Sequence, residues 1–139
     1  MKTPWEPELP IPLPEYPRPQ MVRPNWINLN GWWQYKIQPK DASAPLGYDG
    51  SILVPYAVES LLSGVQQPLL PEQRLWYQRT FTHPEFEPGS RCLLHFGAVD
   101  YQCEVWLNGI HVGRHSGGYL PFTLDITEAL AGAENELLV

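Results

Sequence analysis

The sequence contains few positive charges. Nine lysines and arginines stand against fifteen aspartates and glutamates in 139 residues, which gives a formal net charge of −6. Nucleic acids and anionic membrane surfaces are bound through clusters of cations, whereas the cations here are spread thinly along the chain. The charge balance therefore argues against nucleic acid and membrane as partners.

Long apolar runs are also missing. No stretch approaches the roughly 18 consecutive apolar residues of a membrane-spanning helix, and residues 1–5 do not begin a secretory signal peptide. With 43% hydrophobic and 17% charged residues, the composition is that of a globular protein. We therefore expect one ordinary domain with its own core.

Cysteine is scarce as well. Cys92 and Cys103 are too few for a disulfide framework or a four-ligand zinc site. A bridge between their predicted strands is geometrically possible, but two free thiols packed as small hydrophobic residues are the favoured interpretation. His111 and His115 would share a metal ion on a helix, but the glycines around them indicate a strand, where such positions lie about 13 Å apart. The sequence therefore predicts no metal site and no cofactor.

The usual motifs of nucleophilic and nucleotide chemistry are absent too. No G-x-S-x-G elbow surrounds a serine, and no glycine-rich phosphate loop is present. Glu59 and Asp100 are the best placed carboxylates because both lie in predicted loops beside aromatic or small residues, although fastening the loop is the default role of such groups. His95 lies in an apolar strand and is interpreted as a hydrogen-bonded sheet or core residue.

Proline and aromatic residues are abundant instead. Sixteen prolines, six tryptophans, seven tyrosines and four phenylalanines favour strands and irregular loops over helices. Eight of the prolines lie in residues 1–24, where they exclude a helix and predict an extended arm. A disordered tail is the alternative, but Trp5, Ile11 and Tyr16 favour an arm that lies on another surface.

Beyond the arm, apolar and polar residues alternate with the period of two that is typical of strands. We predict eight strands, at residues 33–37, 51–54, 75–81, 91–96, 103–107, 110–112, 122–126 and 136–139. Asn108-Gly109 predicts a type I′ turn between the fifth and sixth strands. One helical turn is predicted at 127–130, capped by Thr127 or Asp125 and ended by Gly132. Many short strands without long helices indicate a β-sandwich or jelly roll.

One predicted loop carries an aromatic residue beside two glycines. Gly117-Gly118-Tyr119 predicts a tight turn that presents a tyrosine ring, and aromatic rings are the usual platforms for the apolar faces of sugars. The same ring could instead be half-buried at a domain interface, because tyrosine has an apolar body and a polar tip.

Several motifs occur together in an order that is typical of one family. They are Leu29-Asn30-Gly31-Trp32-Trp33, Val54-Pro55-Tyr56, Trp76-Tyr77-Gln78-Arg79-Thr80-Phe81, Leu94-His95-Phe96-Gly97-Ala98-Val99-Asp100-Tyr101, Val105-Trp106-Leu107-Asn108-Gly109, Gly117-Gly118-Tyr119, Pro121-Phe122, Asp125-Ile126-Thr127 and Asn135-Glu136-Leu137. This series resembles the N-terminal sugar-binding domain of family 2 glycoside hydrolases, the β-galactosidase, β-glucuronidase and β-mannosidase group. The resemblance runs from about Arg18 to Val139, and we place the domain itself at residues 25–139.

The resemblance implies an all-β fold, a galactose-binding-like jelly-roll β-sandwich that packs against an immunoglobulin-like domain and a (β/α)₈ barrel. In that family both catalytic glutamates lie in the barrel, about 5–5.5 Å apart for retaining hydrolysis. No residue of this chain therefore inherits a catalytic role. The domain instead lends loops to the rim of the active site.

Five residues in or beside predicted loops are candidates for contact with substrate at that rim. They are Tyr56, Glu59, Asp100, His115 and Tyr119. The asparagine that galactosidases of the family carry after their Val-Pro falls at Ala57 in this sequence, so that contact is not carried over.

Domains of this family continue past the Asn135-Glu136-Leu137 motif through a loop and a closing strand, whereas this sequence ends at Val139. We therefore expect the chain to be part of a longer protein or to form a homodimer, for example by strand exchange. Light scattering at low concentration tests this expectation, which a stable monomer would contradict.

Three functional hypotheses follow. The favoured one is a non-catalytic carbohydrate-binding and scaffold domain of a family 2 glycoside hydrolase, whose parent hydrolyses O-glycosyl bonds as a retaining β-glycosidase while this chain alone has no activity. The second is a stand-alone lectin-like module that binds glycans with millimolar Kd or better. The third is an interaction module whose aromatic residues pack against another domain without binding sugar.

Overall fold

The structure is a computed structural model that describes residues 11–83, 85, 87–132 and 134–139. The described residues divide into two compact units, a first that ends at Tyr77 and a second that begins at Gln78. Within the described ranges the only helices are three single 3₁₀ turns, and everything else is strand, turn or loop. The all-β prediction is therefore confirmed. No helix among these residues is long and apolar enough to cross a membrane.

Each of the eight predicted strands is present, with changes at the ends. The strands are β1 (Gly31–Pro39), β2 (Gly50–Val54), β3 (Gln73–Thr82), β4 (Leu93–Phe96), β5 (Gln102–Leu107), β6 (Ile110–Ser116), β7 (Phe122–Asp125) and β8 (Glu134–Leu138). The 3₁₀ turns are η1 (Pro19–Met21), η2 (Leu61–Ser63) and η3 (Thr127–Ala129). The largest difference is in β6, which continues four residues past the predicted end at Val112.

The first unit is built on β1, which pairs antiparallel with β2 and has β3 on its other side. Trp33 lies opposite Ile52, and both side chains are buried. The Trp33 indole N–H donates to the Leu29 carbonyl at 2.8 Å, and its ring meets Tyr77 edge-on with centroids 6.4 Å apart. The alternating pattern of β1 thus places the Trp33 ring in the core. The indole N–H, the only polar atom of that side chain, is hydrogen-bonded there.

The described part of the proline-rich segment, residues 11–24, contacts the chain that follows it. Asn30 donates to the Pro12 carbonyl at 3.1 Å, and Asn28 donates to the Leu13 carbonyl at 2.7 Å. Tyr16 packs on Trp26 with ring centroids 4.7 Å apart. These contacts lie within the first unit.

The extended arm is not confirmed by these residues. Residues 11–18 run through several bends, and η1 forms at Pro19–Met21, where the sequence had excluded any helix. Proline is tolerated there because the first helical position needs no backbone donor. Trp5 and the rest of residues 1–10 lie outside the described residues, and the domain boundary at residue 25 stays a prediction.

The second unit contains the remainder of β3 followed in order by β8, β5 and β6, together with a two-stranded sheet of β4 and β7. Val105, Leu107 and Leu137 are fully buried in its core. Gly113 of β6 lies directly against Leu124 of β7, because a Cβ at position 113 would stand 2.5 Å from a Leu124 methyl carbon. The β4–β7 sheet therefore packs on one face of the β5–β6 hairpin.

The turn at Asn108-Gly109 has the predicted geometry, with φ of +53° and +78°. The structure adds a role for the Asn108 side chain. Its amide nitrogen donates at 2.8 Å both to the Ala129 carbonyl and to Oδ1 of Asn135, a residue that is only 1% exposed. Two motifs that lie 27 residues apart in the sequence are thus joined by a hydrogen bond between a half-buried and a buried amide.

The predicted helical turn at 127–130 is present as η3, but its ends differ from the expectation. The N-cap position is Ile126, although the Asp125 carboxylate accepts from the Thr127 N–H as a capping group does. The turn ends at Leu130, which is already extended, and not at Gly132. A single 3₁₀ bond from Ala129 to Ile126 closes the turn, so no further residues are needed to reach a glycine stop.

Candidate functional site

Asp100 and the glycine turn 117–118 lie against each other in the second unit. A Cβ at Gly118 would stand 2.7 Å from Asp100 Oδ1, so only glycine lets the backbone approach this carboxylate. The Gly117 N–H donates to the Tyr101 carbonyl at 2.7 Å. We call Asp100, Tyr101, Gly117, Gly118 and Tyr119 the loop cluster.

The surface of the loop cluster is aromatic. Tyr119 is 97% exposed and Tyr101 is 65% exposed, and the adjoining Leu120 is 71% exposed. Large apolar side chains exposed together are typical of surfaces that bind a ligand or another protein. The cluster thus combines an acceptor carboxylate with two phenol rings.

His115 lies directly beneath this cluster. Its ring stacks on Phe122 with centroids 4.2 Å apart, and Phe122 stacks in turn on Phe96 at 4.7 Å. The His115 Nε2 atom is buried and has no hydrogen-bond partner among the described residues. A Cβ at Gly117 would stand 3.5 Å from that nitrogen, so the imidazole supports the turn from below.

A bulge in the β5–β6 hairpin explains why His115 points inward. Trp106 pairs with His111, but Val105 pairs with Gly113, so the register shifts by one residue at this point. Cys103 then faces His115. The two histidines consequently lie on opposite faces, with His115 on the core side and an exposed His111 against Trp106 at a centroid distance of 5.5 Å.

The other two candidates lie in the first unit, in the loop that follows β2. Tyr56 is half-buried, and its N–H donates to the Leu53 carbonyl at 3.1 Å. Glu59 is exposed. Its negative charge acts on Tyr77, whose pKa is raised to about 12 by burial as the larger cause and by Glu59 as the smaller one. Of the five predicted rim residues, the structure therefore brings together Asp100, His115 and Tyr119, and it places Tyr56 and Glu59 in the other unit.

The second unit also contains a groove that no sequence pattern predicts, which we call the Arg91 groove. It has a volume of about 730 Å³ and is formed by the 89–91 loop, the start of β6, the end of β7 and η3. Its polar side chains include Arg91, Asp125 and Glu128, and its apolar ones include Ile110 and Val112. The Asp125-Ile126-Thr127 motif was interpreted as a helix cap and as part of the family series, and neither interpretation points to a groove.

The cysteines are free, and both are half-buried. Burial raises the pKa of each thiol, which makes them poor nucleophiles near neutral pH.

His95 is exposed on β4 and its Nδ1 lies 2.8 Å from the Thr123 hydroxyl across the sheet, as expected for a sheet histidine. Across the described part of the chain, no group of three His, Cys, Asp or Glu side chains converges as a metal site would.

The second unit carries two antiparallel sheets packed face to face, with an aromatic loop cluster at the open end of one hairpin, an arrangement of the β-sandwich class. Comparison with known families is consistent with that class. The model described as "Glycosyl hydrolase 2 galactose-binding domain-like" matches residues 25–139. The chain belongs to this family, and its fold is a galactose-binding-like jelly-roll sandwich.

The relatives are glycosidases much longer than this chain. A β-glucuronidase from Paenibacillus borealis is 30% identical over 119 residues, which cover 81% of this chain and 20% of that protein. The structure of Bifidobacterium dentium β-glucuronidase complexed with coumarin-3-O-glucuronide superposes with a TM-score of 0.63 at 33% identity, covering 79% of this chain and 18% of that one. Lactobacillus rhamnosus β-glucuronidase superposes with a TM-score of 0.65 at 30% identity, covering 79% and 20%. The chain thus spans about a fifth of the length of these relatives.

Proposed function

We propose that this chain is the non-catalytic N-terminal domain of a family 2 glycoside hydrolase and that its loops shape the entrance to the active site of the parent enzyme. The observation that carries the proposal is the loop cluster, where Asp100 lies against the glycine turn that presents Tyr119 and His115 supports that turn. An acceptor carboxylate beside exposed phenol rings is suited to holding a sugar by its hydroxyls and its C–H face. Bond cleavage is assigned to other parts of the parent.

For the parent we propose hydrolysis of β-glucuronides. The β-glucuronidases of Paenibacillus borealis, Bifidobacterium dentium and Lactobacillus rhamnosus, each 30% identical or more, support this choice over galactosides and mannosides. The purified 139-residue chain and the full-length parent are to be assayed on aryl β-D-glucuronide, galactoside and mannoside. The parent should cleave the glucuronide fastest, and turnover by the chain alone would overturn the non-catalytic role.

The rim role of the loop cluster is tested in the full-length parent with Tyr119→Ala. Tyr119 is almost fully exposed, so its truncation should leave folding intact and remove one sugar contact. We expect KM for the aryl glucuronide to rise about fivefold, the equivalent of roughly 1 kcal/mol, with kcat nearly unchanged. Leu46→Ala is the matched control because Leu46 is fully exposed in the first unit. Equal KM values for the two variants would contradict the rim role.

A second candidate function is an interaction module that packs against another domain. The exposed Tyr101, Tyr119 and Leu120 favour it, because such side chains are often buried at interfaces. If this is their role, Tyr119→Ala lowers the melting temperature of the parent and leaves KM unchanged. The predicted homodimer or strand exchange likewise stays a prediction for light scattering.

A further inference from the structure

The Arg91 groove carries an ion pair, Arg91 with Asp125, in which neither side chain is hydrogen-bonded to the other. Arg91 Nη1 lies 3.6 Å from Asp125 Oδ2, beyond hydrogen-bond length, and the two side chains are 73% and 43% exposed. Both charged groups can therefore bind a third partner. Vicinal hydroxyls of a sugar are such a partner, because one can accept from the guanidinium while its neighbour donates to the carboxylate.

The acceptor in this pair is fixed before any ligand arrives. Asp125 Oδ1 accepts from the Thr127 hydroxyl at 2.6 Å and from the Thr127 N–H at 3.1 Å. The same hydroxyl oxygen accepts from the Cys92 N–H at 2.9 Å. These bonds lower the pKa of Asp125, so the carboxylate stays ionised. Binding therefore needs little rearrangement of the acceptor, and the ordering of a side chain falls on Arg91.

Charge and lining restrict the class of ligand. The Arg91 groove is lined by one guanidinium, the His111 imidazole and the carboxylates of Asp125 and Glu128, so its formal charge with neutral histidine is negative and disfavours phosphate and uronate groups. Ile110, 53% exposed, and the half-buried Val112 supply apolar surface on β6. A neutral ligand with hydroxyls on one side and C–H groups on the other fits both parts. The volume of about 730 Å³ lies within the usual range of small-molecule sites.

We propose that the Arg91 groove is a glycan-binding site that takes a neutral pyranose unit, with adjacent hydroxyls bound between Arg91 and Asp125 and the C–H face of the ring over Ile110 and Val112. The site uses residues other than the loop cluster, and the inference does not depend on the proposed role at an active-site rim. Direct binding tests it without any hydrolysis.

The test is a titration of the ¹⁵N-labelled 139-residue chain, followed by NMR, with the methyl β-pyranosides of glucose, galactose and mannose. Ligand is added to about 50 mM, which covers a millimolar Kd. We expect saturable shifts of the amides at 110–112 and 125–129 with at least one of these sugars. Methyl β-D-glucuronide is the anionic comparison and should bind more weakly.

Variants then assign the contact. Arg91→Ala should weaken binding about tenfold through loss of a charged hydrogen-bond donor. Arg114→Ala is the matched control, because Arg114 is an exposed arginine of β6 outside the groove. Ile110→Glu adds a carboxylate in place of apolar surface and should abolish binding, and well-dispersed spectra of all three variants establish that they fold.

Three results would overturn the proposal. They are the absence of saturable shifts with every neutral sugar, shifts confined to the loop cluster, and equal loss of affinity in Arg91→Ala and Arg114→Ala. Tighter binding of the glucuronide than of the neutral sugars would overturn the argument from charge.

Discussion

At the scale of single residues, the Asn108 side chain makes three hydrogen bonds in the second unit. Its amide nitrogen serves two acceptors, the Ala129 carbonyl and Asn135 Oδ1, while its Oδ1 accepts from the Glu136 N–H at 2.9 Å. Asn135 Oδ1 also accepts from the Ala131 N–H at 2.8 Å. One side chain therefore ties the β5–β6 turn to the loop that leads into β8.

We predict that Asn108→Asp lowers the free energy of unfolding by about 2 kcal/mol, because a carboxylate oxygen would replace the donor that faces two acceptors. Urea unfolding measures the change. Gln102→Glu is the control, since it makes the same amide-to-carboxylate change at an exposed position of β5. Equal midpoints for the two variants would show that the Asn108 network does not stabilise the fold.

Tyr77 gives the first unit a pH dependence on the alkaline side. Its pKa is about 12 in the folded chain against an ordinary value of 10.0. Between these values the folded state keeps a proton that the unfolded state has released, so the free energy of unfolding falls as pH rises from 10 toward 12. Below pH 10 this contribution to stability is fully present.

We predict that ultraviolet titration of tyrosinate shows one late phase that Tyr77→Phe removes. Glu59→Gln should move that phase to lower pH, because the charge of Glu59 is the second cause of the raised pKa. Tyr119→Phe is the control and should leave the late phase in place. A late phase that survives Tyr77→Phe would assign the raised pKa to another residue.

At the scale of elements, the contact between β6 and β7 depends on a residue without a side chain. A Cβ at Gly113 would stand 2.5 Å and 3.1 Å from the two methyl carbons of Leu124. We predict that Gly113→Ala lowers the free energy of unfolding by about 1–2 kcal/mol, since Leu124 must leave its rotamer to admit the methyl group.

Gly97→Ala is the control for this prediction, because no atom lies within 4 Å of a Cβ at that position. The double variant Gly113→Ala with Leu124→Ala should cost less than the sum of the two single changes, since the new methyl group fills part of the space that Leu124 vacates. Strict additivity in urea unfolding would contradict the packing argument.

The elements show how far the sequence could be interpreted. The strands were predictable because residues such as Trp33 and Ile37 alternate with polar neighbours, and the Asn108-Gly109 turn because both residues need positive φ. The bulge opposite Val105 was not predicted, although Gly113 marks it, because a glycine in a strand has several meanings. The bulge sets which face His115 occupies and hence where it meets Phe122.

The candidate site was predictable only in part, for a related reason. The grouping of Asp100 with Gly118 depends on a register that runs from the Asn108 turn through the bulge. The Arg91 groove is formed by three segments that are distant in sequence, and no local pattern at Arg91 or Asp125 predicts that these segments meet. Composition and periodicity do not specify how strands are aligned with each other or which distant segments meet, and both sites depend on these two features.

At the scale of the whole molecule, the question is where the folded domain begins. The family match starts at residue 25, yet the described residues before it contribute to the first unit. Pro12 is buried, its carbonyl accepts from Asn30, and Tyr16 packs on Trp26 with the two rings tilted by 59°. An aromatic pair of this kind contributes about 0.5–1.5 kcal/mol beyond the area it buries.

We predict that Tyr16→Ala lowers the free energy of unfolding by about 1 kcal/mol and that a chain beginning at residue 25 loses more, because it also lacks the acceptors for Asn28 and Asn30. Urea unfolding compares both with the full chain. Glu15→Ala is the control, as an exposed neighbour of Tyr16. If the shortened chain and the full chain unfold at the same midpoint, residues 11–24 add nothing to the domain and the boundary at residue 25 is the physical one. A clear loss of stability places the start of the folded domain within the proline-rich segment.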